Sequence, residues 1–199
     1  MKFLAIAAIL LLAACGQSGE QAAQDTTTSS TPAPDTPKSY IPVTDYIRSE
    51  IKSLDSLPIG ILKRTTNGNR SDSVFIQPAE FRQLAAQFLS PELEKGKFEQ
   101  SFTESSFFDQ TTQLLTFTYQ ATDPANTVKR VDVLISPSLA IDKVRSVYME
   151  KAYSSGDTAV SSKMYWKAGA SFQVATAKTV GQQQQDMQQV KVIWDPMSY

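Results

Sequence analysis

The spacing of apolar residues in the first half of the chain predicts two helices, each with one apolar face. Apolar positions recur every three or four residues over 43–54 and again over 78–89, which is the period of an amphipathic helix. Thr44 or Asp45 can cap the first helix, which should end before Pro58, and Pro78 suits the first turn of the second. The residues of the two apolar faces are Val43, Ile47, Ile51, Leu54, Phe81, Leu84, Ala85, Phe88 and Leu89.

A β-hairpin is predicted between these helices. Residues 59–66 and 73–77 are extended runs that flank Asn67-Gly68-Asn69. The tightest hairpin turns need positive φ at both central residues, a conformation that Asn and Gly adopt readily. The turn and its two flanking strands should therefore form one unit.

Beyond residue 110 the apolar pattern changes to strict alternation, which is typical of strands with one buried face. Tight turns between short strands favour antiparallel pairing. We therefore expect an α+β fold, a curled antiparallel sheet of about six strands with two helices packed on it. The stretch 98–108 is a weaker strand candidate, and the glutamines at 182–185 look like a polar loop. The clearest runs are 115–119, 131–135, 144–153, 160–167, 172–177 and 190–194.

The segment before the first helix has a different composition. Residues 16–39 are mostly Gln, Ser, Thr, Ala, Asp and Pro, and none of them has a large apolar side chain. Such a segment cannot bury enough surface to offset its ordering entropy. We expect residues 15–39 to be a disordered linker that places a single domain, 40–199, about 25–30 Å from its attachment point.

The first fourteen residues have the features of a secretory signal peptide. Lys2 precedes a short apolar run that ends in small residues, and the run is too short to span a bilayer comfortably. There are two alternatives. One is an ordinary secretory signal that happens to be followed by a cysteine, and the other is a short transmembrane helix. The length and the flanking residues favour a signal peptide over 1–14.

The residues around the expected cleavage point indicate a lipid anchor. Leu12-Ala13-Ala14-Cys15 resembles the lipobox of bacterial lipoproteins. The resemblance implies cleavage before Cys15, diacylglycerol on its sulfur and a further acyl chain such as palmitate on the new amino group. Several chains hold a protein on a membrane stably, whereas one chain holds it only marginally. Gly16 in place of Asp favours, by the same resemblance, the outer membrane of the cell envelope.

Composition excludes several chemistries. The chain is 41% hydrophobic and 20% charged, as expected of a globular protein, but it has no histidine, and Cys15 is its single cysteine. Ser–His–Asp and Cys–His catalysis, the common zinc sites and an internal disulfide are therefore excluded. We expect no catalytic residue, no metal and no cofactor beyond the lipid on Cys15. Loss of Lys2 changes the net charge from −1 to −2, so nucleic acid is not an expected partner.

The hairpin loop also offers several oxygen ligands, which raises the possibility of a calcium site. Asn67, Asn69, Ser71 and Asp72 lie close together in the sequence. An EF-hand loop starting at Asn67 needs Gly at its sixth position and Glu at its twelfth. The sixth residue is Asp72 and the twelfth is Pro78. We therefore interpret these residues as turn formers.

One acidic pair and one strand face remain as candidate sites. Glu92 and Glu94 are the type of pair that acts as acid and base in glycosidases. Lys163, Tyr165 and Lys167 alternate along a predicted strand, and exposed tyrosine beside lysine suits a recognition surface. The simpler interpretation of the latter group is a solvated sheet face.

Three functions remain open from the sequence. The favoured one is a lipid-anchored envelope protein that binds an envelope protein or glycan without catalysis, through Lys163, Tyr165 and Lys167. A carboxylate-based hydrolase acting on envelope glycan is the alternative. A structural subunit that assists assembly is the third.

Overall fold

The computed structural model describes residues 40–54, 59–137, 143–185, 187–195 and 197. The predicted signal peptide, Cys15 and the linker 15–39 lie outside the described residues. The two predicted helices and the hairpin are present. Helix α1 spans Val43–Leu54 and helix α2 spans Pro78–Ala85, and strands β1, Ile61–Asn67, and β2, Arg70–Ile76, lie between them.

Both helices bury the apolar face that their spacing predicted. Val43 and Ile47 of α1 and Phe81 of α2 are buried. Pro78 occupies the first turn of α2, where its missing N–H costs no helical hydrogen bond. The α-helix ends at Ala85 rather than near Leu89, and a 3₁₀ turn over Ala86–Phe88 continues it and buries Phe88.

The antiparallel sheet is larger than the predicted six strands. The additional strands are the two of the hairpin, which joins the same sheet, one formed by most of the weak candidate at 98–108, and a two-residue strand of glutamines. A short helix α3, Lys97–Ser101, occupies the start of that weak candidate. The other described strands are β3 Phe102–Asp109, β4 Leu114–Ala121, β5 Val128–Ser136, β6 Lys143–Ser155, β7 Thr158–Lys167, β8 Ser171–Val180, β9 Gln183–Gln184 and β10 Gln188–Ile193.

In the sheet, the last strand of the domain lies beside the first. It reads β2-β1-β10-β8-β7-β6-β5-β4-β3, with β9 beside β8, and every pair is antiparallel. The last strand, β10, inserts between β1 and β8, so that Leu62 pairs with Ile193 and Ser171 pairs with Ile193 from the other side. The sheet is open, because β2 and β3 form its two edges.

One face of the sheet packs against the helices, and we call it the packed face. A row of seven residues crosses seven strands on this face, and all of them except Lys63 are apolar. Phe88 meets Trp166 edge to face at 5.1 Å, and Phe81 meets Trp194 at 5.4 Å. Glu50 of α1 accepts a hydrogen bond from the backbone N–H of Gly169 at 2.8 Å. The row comprises Phe117, Val133, Val147, Trp166, Phe172, Val192 and Lys63.

A second aromatic cluster fastens the start of the described domain. The Tyr40 ring stacks on Tyr119 at 5.5 Å and meets Phe98 edge to face at 5.3 Å. The Tyr40 hydroxyl donates to the carbonyl of Phe102 at 2.8 Å, and the N–H of Ile41 donates to the Tyr119 hydroxyl at 3.1 Å. Burial and the nearby Glu104 carboxylate raise the pKa of the Tyr40 hydroxyl. The chain therefore enters the domain against β3 and β4.

Candidate functional site

The three residues singled out on strand β7 lie on the sheet surface opposite the packed face, which we call the open face. Lys163, Tyr165 and Lys167 are exposed, whereas Met164 and Trp166 between them are buried. The alternation predicted for this strand is present in the structure. Tyr165 retains 43% of its surface exposed, which is large for an aromatic side chain in the middle of a sheet.

Neighbouring strands add side chains that the sequence did not group with these three. Tyr165 stands directly opposite Tyr148 of β6 on one side and Gln173 of β8 on the other. Gln173 in turn faces Lys191 of β10, which faces Arg64 of β1. Five side chains on five strands therefore form one row across the open face. At about 4.8 Å per strand, the row is about 19 Å long.

Acidic side chains lie toward one side of this face. On the described strands from β5 to β1, they are Asp132 and Glu150. Arg130 Nε donates to both oxygens of Asp132, at 2.9 and 3.0 Å, and this hydrogen bonding raises the pKa of the Arg130 guanidinium. The Tyr148 hydroxyl donates to Glu150 Oε1 at 2.5 Å. Burial, followed by the bond to Glu150, raises the pKa of Tyr148 to about 12.

The cations toward the other side lack such partners. Lys163, Lys167 and Lys191 form no ion pair with any residue in the described ranges. Arg64 reaches only a weak hydrogen bond from its Nε to Ser73 Oγ at 3.4 Å. The acidic side chains are therefore engaged on β5 and β6, while positive charge is available on β7, β10 and β1.

A concavity continues the open face beyond Lys163. Its volume is about 500 Å³. Small side chains of β6, β7 and β8 form its floor, and the turn at Pro124-Ala125 with Lys129 forms its rim. Ser161 lies two residues from Lys163 on the same strand, so the depression and the charged row adjoin. The floor residues are Ala152, Ser154, Ala159, Ser161, Ala177 and Thr179.

The two acids considered for hydrolysis have separate partners. Glu92 accepts hydrogen bonds from the backbone N–H groups of Thr127 and Val128, both at 2.7 Å, at the register shift between β5 and β6. Glu94 accepts from Arg48 at 2.9 Å. Each carboxylate has a structural role in this arrangement, and the hydrolase alternative stays a prediction with no site assigned to this pair.

The polar loop at 67–72 is a hairpin turn. Gly68 has φ of 54°, the left-handed conformation that glycine adopts readily. Asn69 does not have positive φ, so the expectation of positive φ at both central residues was wrong. Asp72 Oδ1 accepts from the N–H of Ser73 at 2.8 Å, so this oxygen already has a backbone partner. In the described part of the chain, no three Asp, Glu or Cys side chains come together as a metal site, and the expectation of no metal or cofactor stays a prediction.

Comparison with known proteins gives this chain no relative. No family model, no curated protein and no solved structure matches it. Across the described ranges, the structure has no helix with both the length and the apolar character needed to cross a membrane. The residues of the open face are therefore the features of the described structure that bear most directly on function.

Proposed function

We propose that this protein is a non-catalytic binding or assembly module, held by lipid in the bacterial cell envelope, on the outer membrane. The observation that carries the binding role is the exposure of Tyr165 between Lys163 and Lys167 on a sheet face that no described element covers. Interaction surfaces favour exposed aromatic side chains, which supply contact area at low entropic cost. The partner is an envelope protein or glycan.

The anchoring role is supported by Leu12-Ala13-Ala14-Cys15 and the apolar run before it. Acyl chains contribute about 0.8 kcal/mol per buried methylene, so several chains together hold a protein stably at a bilayer. The polar segment 16–39 gives the domain reach from that point. A domain tethered in this way meets partners near the membrane surface at raised effective concentration.

Loss of the three open-face side chains tests the binding role. The variant Lys163→Ala, Tyr165→Ala, Lys167→Ala should lose the envelope partners that crosslink to the native protein in its own host. A matched variant, Lys52→Ala, Lys97→Ala, Gln100→Ala, removes the same number of positive charges from exposed positions on α1 and α3 and should keep them. Equal recovery of partners by both variants would remove the open face as the binding surface.

Substitution of the cysteine tests the anchor. A Cys15→Ser protein expressed in its own host should leave the membrane fraction and keep its unprocessed length, because the sulfur that receives the lipid is gone. Ser18→Ala, three residues away, should be processed and pelleted normally. Retention of the Cys15→Ser protein in the membrane pellet with unaltered processing contradicts the lipoprotein assignment.

A further inference from the structure

Two positive side chains face each other directly on the open face. Lys191 on β10 is paired with Arg64 on β1. Directly opposite residues on one face of an antiparallel pair have Cβ atoms about 4.5–5.5 Å apart, and like charges in this position are destabilising. Their other facing neighbours are Gln173 and Ser73, which are uncharged. Folding stability alone does not favour this arrangement, and such local conflicts are concentrated at functional sites.

The positive charge extends from this pair toward β7. Lys163 and Lys167 lie two residues on either side of Tyr165, about 7 Å away along the strand. We call Arg64, Lys191, Lys163 and Lys167 the cation group. Glu150 stands directly opposite Lys163, but one of its oxygens already accepts the bond from Tyr148. The chain as a whole has a net charge of −1, so this local excess of positive charge is a feature of the open face and not of the composition.

The side chains between the cations, Gln173 and Tyr165, can form hydrogen bonds and have planar groups. Gln173 lies between Lys191 and Tyr165 in the same row. An amide, a phenol hydroxyl and an exposed ring can contact hydroxyl groups and the apolar face of a sugar. The concavity of about 500 Å³ beside Lys163 gives an extended chain a place to continue, whereas a flat bilayer surface would not enter it.

Resting on the proposed function, we propose that the open face binds a linear acidic polysaccharide. Its carboxylates lie against the cation group. From Arg64 and Lys191 the chain crosses the strands to Tyr165, where one sugar ring lies on the aromatic ring. It then turns toward Ser161 and the concavity. The charges are complementary, and no covalent step is involved. Repulsion between Lys191 and Arg64 is relieved when an anionic group lies between them, which couples binding to a gain in stability.

The test uses the processed chain without lipid and polygalacturonate as the probe. Binding should be measurable at low salt and should weaken as salt screens the charges. The variant Arg64→Gln, Lys191→Gln should lose affinity by about tenfold, the change expected when two solvent-exposed charge contacts are lost. The matched variant Lys52→Gln, Lys97→Gln should change affinity less than about twofold, because exposed charges far from the ligand act weakly.

Thermal unfolding separates a binding defect from a folding defect. The Arg64→Gln, Lys191→Gln variant should melt at the same or a higher temperature than the native chain, because a repulsive pair has been removed. At the same concentration, polygalacturonate should raise the melting temperature of the native chain more than that of the variant. A variant that melts lower and still binds normally overturns the proposal.

Two further probes distinguish the ligand class from the binding role. Neutral dextran should not bind, and vesicles containing phosphatidylglycerol should bind less well than polygalacturonate. Tighter binding to the vesicles overturns the polysaccharide in favour of an anionic membrane surface. If polygalacturonate fails while envelope crosslinks through Lys163, Tyr165 and Lys167 persist, the ligand class is wrong and the proposed function stands. If both fail, the open face is not a binding site.

Discussion

The two faces of strand β7 differ sharply although their residues alternate along one backbone. Trp166 is fully buried, and its indole stacks on Phe172 at 5.4 Å and contacts Phe88 at 5.1 Å. Tyr165, the preceding residue, is 43% exposed and faces polar side chains on both sides. The comparison shows that the stabilising contacts of this strand lie on the packed face, while the proposed binding role falls on the exposed side chains of the open face.

The largest expected effect comes from removing the buried ring. Trp166→Ala should reduce the free energy of unfolding by about 3–5 kcal/mol, because it leaves a cavity among several aromatic rings. Tyr165→Ala should reduce it by less than about 1 kcal/mol, as expected of an exposed position. Urea unfolding followed by circular dichroism measures both. Equal losses in the two variants would mean that the two faces do not divide stability in this way.

The same contrast extends to the two glutamates. Glu92→Ala should cost about 1–3 kcal/mol of unfolding free energy, because the N–H groups of Thr127 and Val128 lose their acceptor. Glu94→Ala removes an exposed ion pair with Arg48 and should cost less than about 1 kcal/mol. The two values come from the same urea titration. A larger loss for Glu94→Ala than for Glu92→Ala would reverse the assigned roles.

A smaller effect should appear at alkaline pH through Tyr148. Its pKa in the folded protein is about 12, above the value near 10 of an unfolded tyrosine. The stability that this shift contributes is complete below pH 10 and is lost as the pH rises through 12. Unfolding free energies measured between pH 9 and 12 should therefore fall less steeply in Tyr148→Phe than in the native chain. Identical slopes would contradict the pKa assigned to Tyr148.

Elements with strong local signals could be predicted from the sequence. Pro78 and the apolar spacing predicted α2, because the ring of proline fixes its φ. Asn67-Gly68-Asn69 predicted the hairpin, because glycine readily adopts positive φ. The fold class, helices against an antiparallel sheet, followed from the same patterns. The predicted number of strands was too small, mainly because no local pattern showed that the hairpin joins the same sheet. In addition, β3 mixes serine and threonine with its aromatic residues and lacks the clean alternation of a half-buried strand.

The candidate site could be predicted only in part, for a related reason. Lys163, Tyr165 and Lys167 share one strand, so alternation alone places them on one face. Lys191 and Arg64 come together because β10 inserts beside β1. That pairing joins residues more than a hundred positions apart, and no local pattern specifies it. Lys191 and Arg64 could therefore be assigned to the open face only from the pairing of strands in the structure.

The most direct test of the open face is site-specific photo-crosslinking in living cells of the native host. A photoreactive residue replaces Tyr165 in one strain and Gln83, an exposed residue of α2, in the other. We predict crosslinked products from position 165 and only background from position 83. Equal yields from the two positions, or products from position 83 alone, would contradict the assignment of the open face as the surface that meets a partner.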